Sequence, residues 1–338
     1  MTPLPGVIRS IKKGFNLVSK HAYLLVIPLV LDLFLLFGPK LRINEALQPT
    51  INAAFSQMGS GLTRTGAAQF DALADLTGEL LSTINLFGFI RTYPVGVNVL
   101  FSAAGDSTPL GMSATVQMRS LLLIIWVMFL MMGIGIAVGT LYYSLIADRC
   151  VRSTRKFSFA NYWKQFLSVL LLCLILFTVI LIFSFPASCL FTAAAMMSSF
   201  MYTVLLLIMA MVICWFIIPI YFIVFSIFTD RLDFSGAVKQ SIRMFGWSGG
   251  IGLRYMLFAV LISYGLGYVW AIPPQSSWMI LISIFGHAFI STALLTGALI
   301  LFKDLTQWEK DNQQFLQWRK SFPKFFIKES NKNDRTQS

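Results

Sequence analysis

The chain has 338 residues, 57% of them hydrophobic and 12% charged, with a mean hydropathy of +0.75. Soluble domains carry roughly a quarter of charged residues, so this composition excludes an ordinary globular enzyme or binding module and indicates a bilayer environment. The excess of 26 Lys and Arg over 14 Asp and Glu would suggest nucleic acid in a soluble protein, but here the basic residues fall between apolar stretches. They read as orientation signals and contacts to anionic headgroups, and no nucleic-acid partner is expected.

The chain opens on Val7, Ile8, Ile11, Phe15 and Val18, which recur at roughly helical spacing among Arg9, Lys12, Lys13 and Lys20. Residues 1–21 are therefore expected to form an amphipathic segment lying in the membrane plane. A spanning helix needs about 20 apolar residues, since about 1.5 Å of rise per residue must cross about 30 Å of hydrocarbon. The first such stretch, 22–38, is interrupted by Asp32 and followed by no small-residue cleavage site, so it reads as an uncleaved signal anchor.

The insertion 39–119 follows. A short helix is expected from Pro49, where proline suits a first turn, burying Ile51, Phe55 and Met58. A second places Phe70, Leu73, Leu76, Leu80, Ile84 and Phe87 on one face, with Asp71, Asp75 and Glu79 on the other. The run from Leu86 to Phe101 is apolar but broken by Gly88, Pro94 and Gly96. It is expected to pack over the bundle at the outer interface, the alternative being a re-entrant dip, which is possible only where protein or water satisfies its backbone.

Five further spans are expected at 120–147, 165–191, 200–229, 252–272 and 278–302, and residues 303–338 form a basic, aromatic tail. Trp278 opens the last span, while Tyr23 and Tyr255 lie near the inner ends of two others, where amphipathic rings favour the headgroup region. Lys and Arg cluster before the first span, around Arg149 to Lys164, around Arg231 to Arg254 and after Lys303, whereas 191–199 and 273–277 carry none. This bias predicts a multi-pass protein of the cytoplasmic membrane with both termini cytoplasmic and the 39–119 insertion outside. Phe157-Ser158-Phe159-Ala160 and Phe234-Ser235-Gly236-Ala237 each precede a basic amphipathic stretch. The expected fold is thus an all-α membrane protein with six transmembrane helices as three hairpins, each preceded by an interfacial amphipathic helix, 22–302 forming the membrane domain.

Few residues carry chemistry. Asp32 is the one acidic residue well inside a predicted span, where a charge costs at least about 2.5 kcal/mol. Nine residues inside Tyr23, it lies about 14 Å deep, and His287 reaches a similar depth from Trp278. The two either meet as a proton-responsive or ligand-binding pair, or Asp32 stays protonated or caps a neighbouring helix while His287 is simply hydrogen-bonded. Gly133, Gly135 and Gly139 permit close helix contact, as do Gly265 and Gly267. Pro186 and Pro219 should kink or loosen their helices. Cys150, Cys173, Cys189 and Cys214 have no paired spacing, and two histidines with no phosphate-cradling glycine loop suggest neither metal, cofactor nor nucleotide chemistry. The tail's Trp308, Phe315, Trp318 and Phe322 among Arg319, Lys320 and Lys324 read as an interfacial helix.

The run Val26-Ile27-Pro28-Leu29-Val30-Leu31-Asp32-Leu33-Phe34-Leu35 with Gly38-Pro39-Lys40-Leu41, and the stretch Asn85-Leu86-Phe87 to Arg91-Thr92-Tyr93-Pro94-Val95-Gly96-Val97, resemble an uncharacterised family of bacterial polytopic membrane proteins. That resemblance implies a six-span fold, and the family has no established activity to carry over. Ala237, Ser241 and Arg243 are more distantly similar to membrane domains associated with glycerophosphodiester phosphodiesterases, without their catalytic domain. The expected role is a non-enzymatic scaffold or assembly factor with a membrane-protein partner. The alternative is a secondary permease for a small solute, using Asp32 and either His287 or Arg91.

Overall fold

In the computed structural model, residues 4–59, 64–100, 107–151 and 158–312 are described. The N-terminal amphipathic segment forms α1 (Val7–Lys20), and at His21 the backbone leaves the helical region, with φ −128° and ψ 56°. A 3₁₀ turn (Ala22–Leu25) then leads into α2 (Val26–Phe37), so that the chain turns by 95° between α1 and the stretch that follows. Pro28 falls in the first turn of α2, where its missing N–H costs least.

The insertion holds α3 (Asn44–Gly59) and α4 (Arg64–Thr83), and five helices follow it: α5 (Leu121–Val151), α6 (Phe159–Met197), α7 (Ser199–Thr229), α8 (Phe234–Trp270) and α9 (Ile280–Asp311). All five are long and apolar enough to cross a membrane, and the bent α1–α2 pair makes a sixth candidate. This is an all-α, multi-pass membrane protein. In α9, 61% of the apolar window is buried inside the protein, against 22% or less in the other four, which makes α9 the central pillar.

Packing against α9 holds α1 in place. Gly14 of α1 sits on α9 so closely that a Cβ there would fall 2.7 Å from the Gly297 nitrogen and onto the Ala293 carbonyl. Val18, Leu25 and Ala293 fill the contact, the Phe15 and Phe289 rings meet edge to face, and Lys13 pairs with Asp304 at 2.8 Å. The basic end of the bundle is further tied by Arg231 to Asp148 at 3.0 Å and Arg243 to Glu309 at 2.9 Å. Arg231 adopts a left-handed φ of 53° in the turn between α7 and α8, a strained conformation for a non-glycine residue.

The insertion is clamped at its base by a two-stranded parallel ladder, β1 (Lys40–Arg42) on β4 (Thr115–Gln117), with a small hairpin of β2 (Ser107–Thr108) and β3 (Gly111–Met112) beside it. Its helix α3 (Asn44–Gly59) begins before Pro49, which is interior rather than in the first turn. Ile51 and Phe55 are half-buried; the side chains of Met58, Phe70 and Leu73 lie outside the described residues. Helix α4 (Arg64–Thr83) turns Gly78 toward Gln48 of α3 and buries Leu81, so Leu76 and Leu80 of the expected inward stripe are exposed instead. The glycine lets the two helices approach closely, and that contact outweighs the wider apolar stripe.

After the 3₁₀ turn Leu86–Ile90, the chain enters the bundle rather than passing over it. Val95, Val97 and Val99 are almost completely buried in the main core beside Ile136, Tyr142, Tyr143 and Phe222. The glycines of α5 make this possible: a Cβ on Gly135 would strike the Ile90 carbonyl and Thr92, and one on Gly139 the Val95 carbonyl. These glycines thus accept a non-helical segment, not a neighbouring helix. Nothing lies within 4 Å of a Cβ built at Gly133, Gly265 or Gly267, so the expected close helix contact does not form there.

Three further differences concern helix continuity. The interfacial stretches expected before the third and fifth spans are the first turns of α6 and α8, each a single unbroken helix, and Pro186 and Pro219 lie inside continuous helices. Helix α9 continues through residue 303 to Asp311; the tail from Phe315 lies outside the described residues. The distal parts of α6 and α7 are exposed almost all round, from Phe177 to Leu190 and from Met201 to Phe216, so this hairpin leans away from the core. A lipid-facing surface accounts for so much exposed Leu, Ile and Phe.

The Gly139→Ala variant is expected to lose about 1–3 kcal/mol of stability by overpacking against Val95, read as a lower thermal midpoint in detergent. Gly133→Ala, which meets open space, should leave the midpoint unchanged or slightly raised.

Candidate functional site

The segment after Ile90 has no helical or strand partner for much of its backbone, so the surrounding side chains have to supply one. Asp32 does so at the far end: it is fully buried, and Leu100 N–H donates to its Oδ1 at 2.6 Å. Asn85 accepts from the N–H groups of Leu41 and Phe87 at 3.1 and 3.3 Å, joining β1 to the entry turn. The Thr92 hydroxyl lies 3.0 Å from the Phe89 carbonyl and 3.3 Å from the Met132 carbonyl of α5. Lys40, fully buried, donates its ammonium to the Leu35 carbonyl near the C-terminal end of α2, where the helix dipole favours a cation.

His287 Nδ1 lies 3.9 Å from Asp32 Oδ2, longer than a hydrogen bond. The two are neighbours, but their positions differ in kind. Asp32 is sealed from solvent, whereas His287 lines a cavity of about 770 Å³ enclosed by α5, α7, α8, α9 and the inserted segment. Arg91 lines the same cavity. Its neighbour Thr92 touches α5 at Met132 and Gly135, 11 to 14 residues or about 17–21 Å along a 31-residue helix, so Arg91 stands near mid-height of the bundle.

Arg91 is half-buried, donates to the Tyr93 hydroxyl at 3.4 Å and has its guanidinium carbon 5.8 Å from the Tyr93 ring centre. Among the described residues it has no carboxylate partner. Seven of the ten tyrosines line the cavity: Tyr93, Tyr142, Tyr143, Tyr221, Tyr255, Tyr264 and Tyr268. Tyr142 is anchored by its hydroxyl to Thr292 Oγ1 at 2.8 Å, and the Tyr255 hydroxyl donates to the Leu294 carbonyl at 2.6 Å. Tyr255 is therefore a buried wall residue at the α8–α9 contact and not an interfacial anchor. Tyr23, by contrast, is exposed and lies under the Arg149 guanidinium at 5.5 Å.

The walls set the direction of access. At the basic end the lining residues Leu301, Phe302 and Leu305 are buried and close the cavity. On the α8 side the rim residues Tyr264 and Tyr268 are exposed at 72% and 78%, so the cavity opens sideways. Gly252 and Gly267 contribute no side chain to the lining, which widens the space beside α8. Among the described residues, the chamber is largely apolar, with one cation that lacks a carboxylate partner, one imidazole and a ring of phenolic hydroxyls. That chemistry suits an anionic group carried on an apolar body.

The tyrosine ring and the buried Lys40 are features of this region not singled out from sequence. A tyrosine placed well inside a predicted span, as Tyr221 is, could have indicated a polar interior, whereas Tyr142 and Tyr143 lie only five and four residues from the end of theirs and read as interfacial rings. Among the described residues, the four cysteines are free and no three His, Cys, Asp or Glu side chains gather as a metal site would need. Comparison of the chain with protein-family models, curated proteins and solved structures finds no significant match.

Asp32→Asn keeps an acceptor for Leu100 N–H and is expected to fold nearly as well as the parent. Asp32→Ala leaves that buried donor unsatisfied, at about 1–3 kcal/mol, and should expose the 91–100 stretch to protease. At 3.9 Å the Asp32 and His287 side chains are close enough to couple, so Asp32→Asn and His287→Gln are expected to depart from additivity by about 0.5 kcal/mol or more in a double-mutant cycle, and strict additivity would remove them as a pair.

Proposed function

We propose that this chain is a non-enzymatic permease or carrier of the cytoplasmic membrane that takes an anionic amphiphile from the lipid phase into the tyrosine-lined cavity. In this reading six spans are arranged as three hairpins with both termini cytoplasmic, and α1 lies in the inner interface. The observation that carries the proposal is Arg91: a guanidinium at mid-height of the bundle, on the wall of a chamber of about 770 Å³, with no carboxylate partner among the described residues. An ionisable side chain at that depth is costly to maintain and by default marks a substrate pathway. Tyr93 shares the load through its ring and hydroxyl, which leaves donor positions of the guanidinium for a ligand.

The sideways opening past Tyr264 and Tyr268 favours a ligand that arrives dissolved in the bilayer over one that arrives from water. A scaffold or assembly factor, the other role considered from sequence, is served equally well by a filled core and has no use for a half-buried arginine on a cavity wall. Asp32 enters this mechanism as a positioning residue. By holding Leu100, it keeps the segment that carries Arg91 inside the bundle.

The test is binding and flux of a long-chain alkyl carboxylate or alkyl phosphate by the purified chain in neutral vesicles. Arg91→Gln should weaken binding by about 10- to 100-fold, as expected for loss of a charge-assisted hydrogen bond, and abolish flux, while Arg91→Lys should retain part of both. Equal binding by the parent and Arg91→Gln, with the fold intact by circular dichroism, would remove the anion site and return the scaffold reading.

A further inference from the structure

A second concavity, of about 370 Å³, lies at the basic end where three distant parts of the chain meet: the second half of α1, the last turn of α5 and α9 beyond Ile300. Its polar lining includes Lys13, Lys20, His21, Lys303 and Asp304, with Cys150 beside them. Among the described residues that line it there are three lysines and one carboxylate, and that carboxylate is engaged by Lys13 at 2.8 Å. The hollow is therefore cationic. Arg149, next to Cys150 and seated over the Tyr23 ring, adds to the same field.

Depth identifies what such a hollow can meet. Lys303 is 23 residues from the start of α9 at Ile280, about 35 Å along the helix, which is just past the roughly 30 Å of hydrocarbon. That is the level of lipid phosphates. From Tyr23, exposed Val26, Val30 and Phe34 continue along one face of α2 toward the opposite end, an apolar track directed into the bilayer. A freely dissolved phosphate has no use for such a track, whereas a lipid's acyl chains do.

We propose that this hollow is a specific site for the phosphate headgroup of one anionic glycerophospholipid, with the acyl chains laid along α2. The site differs from the diffuse attraction of basic loops to an anionic surface. Its lysines come from helices nearly the whole chain apart and converge only through the fold, in a pocket within the size range of ligand sites. It is independent of the tyrosine-lined cavity and of the transport reading. Lipid bound here would brace α1 against α9 at the Lys13–Asp304 contact, stabilising the 95° turn on which α2 and Asp32 depend.

Native mass spectrometry of the full chain, released from vesicles containing equal phosphatidylglycerol and phosphatidylcholine, tests this directly. One phosphatidylglycerol should be retained in preference to phosphatidylcholine. Lys20→Gln and Lys303→Gln should each lower retention about fivefold, while Lys303→Arg should restore it and Lys12→Gln, on an exposed part of α1, should leave it unchanged. Millimolar inorganic phosphate should not displace the lipid. Equal retention of both lipids, or full retention by the Lys20→Gln/Lys303→Gln double variant, would overturn the proposal. Displacement by inorganic phosphate would also overturn it, assigning the site to a soluble phosphate instead.

Discussion

Asp32 accepts the Leu100 N–H at 2.6 Å inside a protein that lives in lipid, and the rest of the interior follows from that bond. Backbone that is neither helix nor closed sheet is tolerated at membrane depth only when protein groups or water take its donors and acceptors. The stretch from Ile90 to Leu100 meets this condition through a dispersed set of side chains: Asp32, Asn85 and Thr92, with Lys40 holding the adjacent end of α2. A carboxylate buried for this purpose is costly, and its cost is offset by an ordered segment that no helix could replace. The same segment carries Arg91 and Tyr93 to the cavity wall.

The bundle is built unevenly around α9. At the basic end, α1 crosses α9 through Gly14 and Gly297, and ion pairs join α5 to the α7–α8 turn and α8 to α9. Toward the opposite end, the distal hairpin of α6 and α7 departs from the core and the cavity opens beside α8. Close packing and electrostatic ties at one end, with open space at the other, give the molecule a closed face and an accessible one.

Glycine illustrates how one residue type can serve different ends. Gly135 and Gly139 are spaced as helix-contact glycines, yet they face the inserted backbone, because a segment without regular structure needs the closest approach that α5 can offer. Gly14 and Gly297 do serve helix contact, between an amphipathic helix and the pillar. Gly265 and Gly267 face open space. Spacing alone cannot separate these cases, since it records which residues share a helix face but not what stands opposite.

Apolar runs interrupted by basic residues are enough to establish an all-α membrane protein, the approximate limits of its long helices and the amphipathic character of α1, because hydropathy and period act through neighbouring residues along the chain. The depth of Asp32 and His287 could likewise be counted from aromatic residues at span ends, since helical rise is constant. Only the tertiary structure decided that residues 91–100 run inside the bundle, that Leu81 and not Leu80 faces α3, and that Arg91 shares a cavity with seven tyrosines. Each of these depends on which surfaces approach within a few ångströms across long separations in sequence. That choice is made by the summed packing and hydrogen bonding of the whole interior, to which no local pattern gives access.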